Sequence, residues 1–182
     1  MIQTDALNHE CPLTNRKMPE TEVILIRHGE TEWNVAQRFQ GHQDSDLTEK
    51  GKFQVETLGV RFQEEELDQL YSSDLLRTRK TAEAVSRGTG RQVELDVRLR
   101  EKNLGIFEGL NVSEIQKKYS DAYKAFNTGG SRYRIKSGES TLDLLVRGLE
   151  FLEEIRKKHE GRKIGIVTHG GFISVILKYS LG

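Results

Sequence analysis

Short apolar runs alternate along this chain with longer stretches in which apolar residues recur every three or four positions, the pattern of strands alternating with helices. Glu22–Arg27 encloses Val23-Ile24-Leu25-Ile26, a compact branched run that predicts a buried strand. Thr48 is placed to cap a helix reaching about Gln63, with Val55, Leu58 and Phe62 along one face. A second strand is expected over Leu67–Ser73, followed by Asp74 as the cap of a helix to about Gly88. Arg91–Val97 alternates Val93, Leu95 and Val97 with polar neighbours, as a strand at a sheet edge would. Helical spacing returns over Asn111–Phe126 in Ile115, Tyr119, Tyr123 and Phe126, then gives way to a Gly- and Ser-containing loop over Thr128–Ser140. Thr141–His159 predicts the clearest helix, with a stripe of Leu142, Leu145, Leu149, Leu152 and Ile155. Lys163–Thr168 reads as the last strand, and a further helix begins at Gly171.

This order predicts an α/β fold, a layer sandwich around a mainly parallel sheet. No repeat and no linker of domain-boundary character interrupts it. The length of 182 residues suits one core, assigned to 21–182, preceded by a polar segment over 1–20 that is expected to be a flexible tail. That segment lacks the apolar core of a signal peptide. Lys and Arg total 28 against 28 Asp and Glu, so no overall field points to nucleic acid or anionic lipid as a partner. No apolar run approaches the ~20 residues of a membrane span. One cysteine, Cys11, excludes an internal disulfide and any cysteine-based zinc site, and a cytoplasmic location is expected.

The architecture directs attention to loops that follow strands, because open α/β sheets gather ligand groups at their carboxyl edge. Arg27-His28-Gly29-Glu30-Thr31-Glu32-Trp33-Asn34 follows the first strand. It sets a permanent cation beside a potential nucleophile, a glycine that permits a sharp turn, and neutral donors in Thr31 and Asn34, all suited to a phosphate-like oxyanion. Ser72-Ser73-Asp74-Leu75-Leu76-Arg77 follows the second, with Arg77 near the positive end of a helix. Thr168-His169-Gly170-Gly171 follows the last, and Leu99-Arg100-Glu101 adds a carboxylate. Each piece alone has an ordinary reading: a structural histidine, an Arg77–Glu83 pair, a surface Glu101. Two His, two Arg and one Glu together at expected carboxyl-edge loops are hard to assign to packing.

These residues resemble the signature of the histidine phosphatase superfamily, in its phosphoglycerate mutase-like branch. The resemblance runs from about Glu22 to the end, through Gln40-Gly41, Asp46-Leu47-Thr48, Ser72-Ser73-Asp74-Leu75, Arg77-Thr78, Leu99-Arg100-Glu101, Gly105, Glu108-Gly109, Gly138-Glu139-Ser140 and His169-Gly170. It implies a three-layer α/β/α sandwich that here lacks the C-terminal end of relatives. It further implies His28 as the nucleophile that becomes phosphohistidine, with Arg27, Arg77 and His169 around the phosphoryl oxygens and Glu101 as proton donor. Thr31, Asn34, Gln40, Gly41, Lys102, Asn103, Leu104 and Gly170 match positions that bind substrate in relatives. Such chemistry rests on positioning and electrostatics. It asks for a neutral His28, a His169 that serves best as a cation, and a Glu101 that keeps its proton. No metal or other cofactor is expected, 2,3-bisphosphoglycerate being needed as a primer only if the chain is a mutase.

The expected partner is a small phosphorylated metabolite, with no nucleic acid and no membrane, and a homodimer is left open. Phosphatase is favoured over mutase because Glu101 and Gly138 lie only 37 positions apart (138 − 101), whereas glycolytic mutases of the family carry a longer insertion there. A truncated, non-catalytic binding domain is the third reading. A metal site drawn from His28, Glu30, His42, Asp44 and His169 is a rival without a recognised ligand spacing, and no Walker phosphate loop is present. His159 is expected at a solvated helix end. The basic loop Gly129–Gly138, with Arg132, Arg134 and Lys136, is expected to cover part of the pocket and select a second anionic group.

Overall fold

The computed structural model describes residues 20–181, so the expected tail lies outside the described residues but for Glu20. Strands β1 (Glu22–Arg27), β2 (Gln69–Ser72), β3 (Val93–Leu95) and β4 (Lys163–Thr168) form one sheet in the order β1-β4-β2-β3. Every pairing is parallel. Helices α1 (Glu32–Val35), α2 (Glu49–Arg61), α3 (Leu76–Thr89), α4 (Val112–Thr128), α5 (Thr141–Lys158) and α6 (Gly170–Leu181) complete the order of elements.

Strand alternation sorts the core into two layers. Ile26, Leu70 and Val167 face α2 and α3, where Phe62, Ala82 and Val85 pack on them. Tyr71, Ile164 and Ile166 face α5 and α6, against Phe151, Ile155, Phe172 and Ile176. The three-layer α/β/α sandwich follows from this period-two split. A separate cluster of Phe107, Ile115 and Ile135, with Tyr119, Tyr123 and Phe126 beside it, seats α4 and the segment before α5.

Several local expectations need correction. Asp74 does not cap α3; the cap position is Leu75, without a side-chain bond. Asp74 turns instead to Arg100, with Arg100 Nε donating at 2.6 Å. The buried face of α5 is Leu144, Gly148, Phe151 and Ile155, while Leu142 is exposed and Leu145, Leu149 and Leu152 are half-buried. Gly148 lets α6 approach closely there, since a Cβ would lie 2.9 Å from Ile176 Cδ1. The α4 helix is broken by non-helical dihedrals at Tyr119. His159 does end α5 as its C-cap, but its half-buried ring is not free in solvent, with a nitrogen 2.8 Å from the Tyr71 hydroxyl. Thr48 does cap α2, accepting from Gly51 N–H at 2.9 Å.

The parallel register decides where chemistry gathers. Arg27 lies opposite Thr168, and Ser72 opposite Val167. The loops after β1, β2 and β4 therefore emerge side by side at one edge, across a reversal in strand order where open sheets hold ligands.

Candidate active site

Beyond that edge lies a cleft of about 490 Å³ bordered by Arg27, His28, Asn34, Arg38, Gln40, Gly41, Arg77, Glu101, Lys102, Leu104, Gly170 and Gly171. His28 sits just past β1, its own N–H bonded to the Thr168 carbonyl at 3.1 Å. Its Nδ1 lies 2.7 Å from the Gly29 carbonyl oxygen. A carbonyl only accepts, so Nδ1 carries the hydrogen and the lone pair of the neutral ring is on Nε2. Burial, reinforced by Arg77 and Arg27, pushes the His28 pKa down to about 4. Gly29 is needed for close approach rather than for a positive φ: a Cβ would lie 2.8 Å from the Gly51 carbonyl of α2.

The second histidine stands behind the first, with ring centroids 5.3 Å apart. His169 Nε2 is 2.9 Å from Ser73 Oγ, which also accepts from Leu75 N–H at 3.4 Å. The Ser73 hydroxyl can donate to His169 Nε2, and in that tautomer the imidazole proton is on Nδ1. Burial, with Arg77 next, holds His169 well below its ordinary pKa. Burial by itself therefore favours the neutral ring over the expected cation, and in that tautomer Nδ1 is a donor.

Arg77 is almost fully buried, and three acceptors hold its fork: Gln43 O at 2.8 Å and Asp44 Oδ1 at 2.7 Å on Nη1, and Gly41 O at 2.8 Å on Nη2. Its ion-pair partner is Asp44, not Glu83. Arg77 Nε and His169 Nδ1 are the buried side-chain polar atoms without a hydrogen-bond partner among the described residues. Buried donors are normally paired. Both residues act on His28, His169 with its ring centroid 5.3 Å away and Arg77 through its charge, and unpartnered buried nitrogens beside a cleft are what an oxyanion can complete.

Glu101 faces this group from the far wall. Its Oε1 accepts from Lys102 N–H and its Oε2 from Gly171 N–H, each at 2.9 Å. Lys102 leans over the Phe126 ring at 5.1 Å and donates to Thr141 Oγ1 at 3.0 Å. Burial draws its ammonium below the usual lysine pKa.

The structure separates the expected substrate contacts into two sets. Asn34, Gln40, Gly41, Lys102, Leu104 and Gly170 border the cleft. Thr31 does not: it is wholly buried, and its hydroxyl donates to Asn34 Oδ1 at 3.1 Å in a capping box that starts α1. Asn103 is also spent locally, its Oδ1 accepting from Gly105 N–H at 2.9 Å and its amide nitrogen 3.5 Å from His42 Nδ1. The basic loop does not cover the cleft. Ile135 is buried, Lys136 O accepts from Ile106 N–H, and Arg134 pairs with Asp143, so the loop backs the wall behind Glu101.

Sequence reasoning missed Ser73, Asp44 as partner of Arg77, and Arg38, which borders the cleft while bound to Glu114. The rival metal set does not assemble. Glu30 pairs with Lys50, His42 lies on the Glu101 carbonyl, and among the described residues no three His, Cys, Asp or Glu side chains are placed to hold an ion. No helix among those residues is long and apolar enough to cross a membrane.

Comparison with known proteins accords with this geometry. Residues 23–182 match the model of the histidine phosphatase superfamily, branch 1. Over 155 residues the chain is 39% identical to phosphoglycerate mutase-like protein 4 of Arabidopsis thaliana, covering 84% of this chain and 67% of that one. It is 38% identical over 159 residues to the metal-independent phosphoserine phosphatase of the same plant, covering 86% and 67%. The solved structure of Bacillus stearothermophilus YhfR superposes with a TM-score of 0.80 at 39% identity, over 88% of this chain and 79% of that one. A match along nearly the whole described chain, in sequence and in fold alike, makes this protein an enzyme of the histidine phosphatase superfamily, of the kind that comprises phosphatases and phosphoglycerate mutases.

Proposed function

We propose that this chain is a metal-independent phosphomonoesterase for small phosphorylated metabolites, working through phosphohistidine at His28 Nε2. The observation that carries the reading is the pair of unpartnered buried nitrogens, Arg77 Nε and His169 Nδ1, beside a histidine whose lone pair is on Nε2. A phosphoryl group supplies the acceptors both lack. Nε2 attacks phosphorus and the P–O ester bond breaks. The departing oxygen takes the proton of Glu101, and Gly29 O holds the Nδ1 hydrogen as positive charge develops on the ring. Glu101 then accepts a proton from the water that breaks the N–P bond, releasing phosphate and restoring His28. Arg27, Arg77, Asn34 and the neutral His169 carry the charge of the phosphoryl oxygens, and Gln40, Gly41, Lys102, Leu104 and Gly170 border the rest of the substrate. Thr31 acts through Asn34.

The likeness to a metal-independent phosphoserine phosphatase supports hydrolysis without a metal. The likeness to a phosphoglycerate mutase-like protein keeps phosphoryl return to a second hydroxyl as the alternative. Release of phosphate from p-nitrophenyl phosphate, insensitive to EDTA and lost in His28→Ala, supports the proposal, together with an acid-labile phosphohistidine trapped by mass spectrometry. Interconversion of 3- and 2-phosphoglycerate dependent on 2,3-bisphosphoglycerate, without net phosphate release, overturns it in favour of the mutase. A folded chain that does neither overturns both.

A further inference from the structure

The carboxylate assigned to proton transfer sits on a loop, and loops do not hold a geometry by themselves. Its rigidity comes from a half-buried ion pair on the opposite side of the wall. Arg147 of α5 meets Glu139 with Nη2 2.6 Å from Oε1 and Nε 3.2 Å from Oε2. The same guanidinium donates to two main-chain carbonyls of the loop, that of Glu101 at 2.9 Å and that of Arg98. Glu139 closes the other flank, accepting from Asn103 N–H at 2.8 Å, while Glu139 N–H donates to the Asn103 carbonyl at 3.0 Å. Residues 98, 101 and 103 are thereby fixed by one bidentate pair, and His42 adds a second contact to the Glu101 carbonyl at 2.9 Å.

We infer that Arg147 and Glu139 are positioning residues for proton donation by Glu101, an inference that rests on the acid role proposed above. Neither touches the cleft. A planar fork is required, since an ammonium cannot serve Glu139 and two divergent carbonyls in one plane. The pair fixes the backbone at residue 101, so the carboxyl stays seated on Lys102 N–H and Gly171 N–H, facing the leaving oxygen across from His28. An acid displaced by about 1 Å loses most of its advantage, as positioned groups do.

The test uses leaving groups that differ in their need for a proton. p-Nitrophenolate departs with little help; the alkoxide of glycerol phosphate needs the acid. kcat/KM for both substrates is measured in the wild type, Glu101→Gln, Arg147→Gln, Arg147→Lys and Glu139→Gln, with thermal unfolding as a check on folding. Arg147→Gln is expected to lose at least about tenfold more on glycerol phosphate than on p-nitrophenyl phosphate, part of the loss general acids account for. The loss should fall on kcat rather than KM, and Glu139→Gln should show the same bias. Equal losses on both substrates in folded Arg147→Gln, with the bias present in Glu101→Gln, overturn the positioning role and leave the acid intact. Absence of the bias in Glu101→Gln overturns the acid role itself. Should Arg147→Gln fail to fold, Arg147→Lys decides by the same comparison: a biased loss supports the inference and an unbiased one overturns it.

Discussion

Asp44 holds Arg77 twice: its Oδ1 lies 2.7 Å from the guanidinium, and its carboxylate accepts from the main-chain N–H of Leu76 at 2.8 Å and of Arg77 at 3.4 Å. One side chain from the loop after β1 thus caps α3 and neutralises the cation that α3 carries. Asp44→Ala removes the cap and leaves a buried guanidinium with carbonyl partners only. The loss is expected near 3 kcal/mol by urea unfolding, the lower end for a broken buried pair because Asp44 is partly exposed. Asp44→Asn keeps the cap and removes the charge, so inorganic phosphate should inhibit more tightly while stability falls. Weaker inhibition would show that Asp44 orients Arg77 more than it competes for it.

Thr31 and Asn34 bind each other through both side chains and main chain. Thr31→Val keeps the volume and breaks this box. We expect a loss of about 1 kcal/mol, the usual scale of a cap, with a raised KM as Asn34 loses its fixed orientation. Thr31→Ser should restore both. A normal KM in a destabilised Thr31→Val would confine Thr31 to folding.

Elements whose signals are local were legible in the chain: β1 in its branched run, α2 in Thr48, β4 as the last strand at Lys163–Thr168. The positions of His28, Arg77 and His169 at one edge followed from strand ends, because a parallel sheet brings those ends together whatever the loops contain, whereas Glu101 reaches the edge from a longer segment after β3. What escaped is long-range. Asp74 had the composition of a cap, yet Asp44, some thirty residues upstream, fills that place. Thr31 and Asn103 had the chemistry of ligand donors, yet short loops spend their side chains on their own backbone. Ser73 behind His169, and Arg147 with Glu139 behind Glu101, couple segments far apart in sequence, and no spacing rule encodes such pairs.

The basic loop yields a prediction opposite to its composition. Arg134 makes an exposed pair with Asp143 at 2.8 Å, and the loop backs the wall. Arg134→Ala should therefore leave KM unchanged for polyanionic and simple phosphate esters alike, and shift stability by no more than about 0.5 kcal/mol, as exposed pairs do. A selective rise in KM for polyanionic substrates would bring the loop back to the cleft.

The histidines, His28 and His169 above all and His42 and His159 with them, make stability depend on pH in a defined window. The native pKa of His28 is pushed down to about 4 from an ordinary 6.5, chiefly by burial. Between those values the unfolded chain binds a proton that the native state refuses. The stability contributed by the neutral ring is therefore complete above about 6.5, falls as the pH drops toward 4, and changes no further below. That gap amounts to roughly 3 kcal/mol for His28, and His169, also held well below its ordinary pKa, adds in the same direction. Carboxylates such as Asp74, lowered by its bond to Arg100, lose their contribution only below about the ordinary aspartate pKa of 3.8. Unfolding free energies between pH 7 and about 5.5 thus report chiefly the histidines, ahead of glutamates such as Glu65 and Glu114, whose native pKa is lowered from an ordinary 4.5. His28→Ala should flatten the slope in this range and leave the share of His169, although it removes packing at every pH. An unchanged slope would mean that His28 has the same pKa folded as unfolded, so that burial does not hold it neutral for attack on phosphorus.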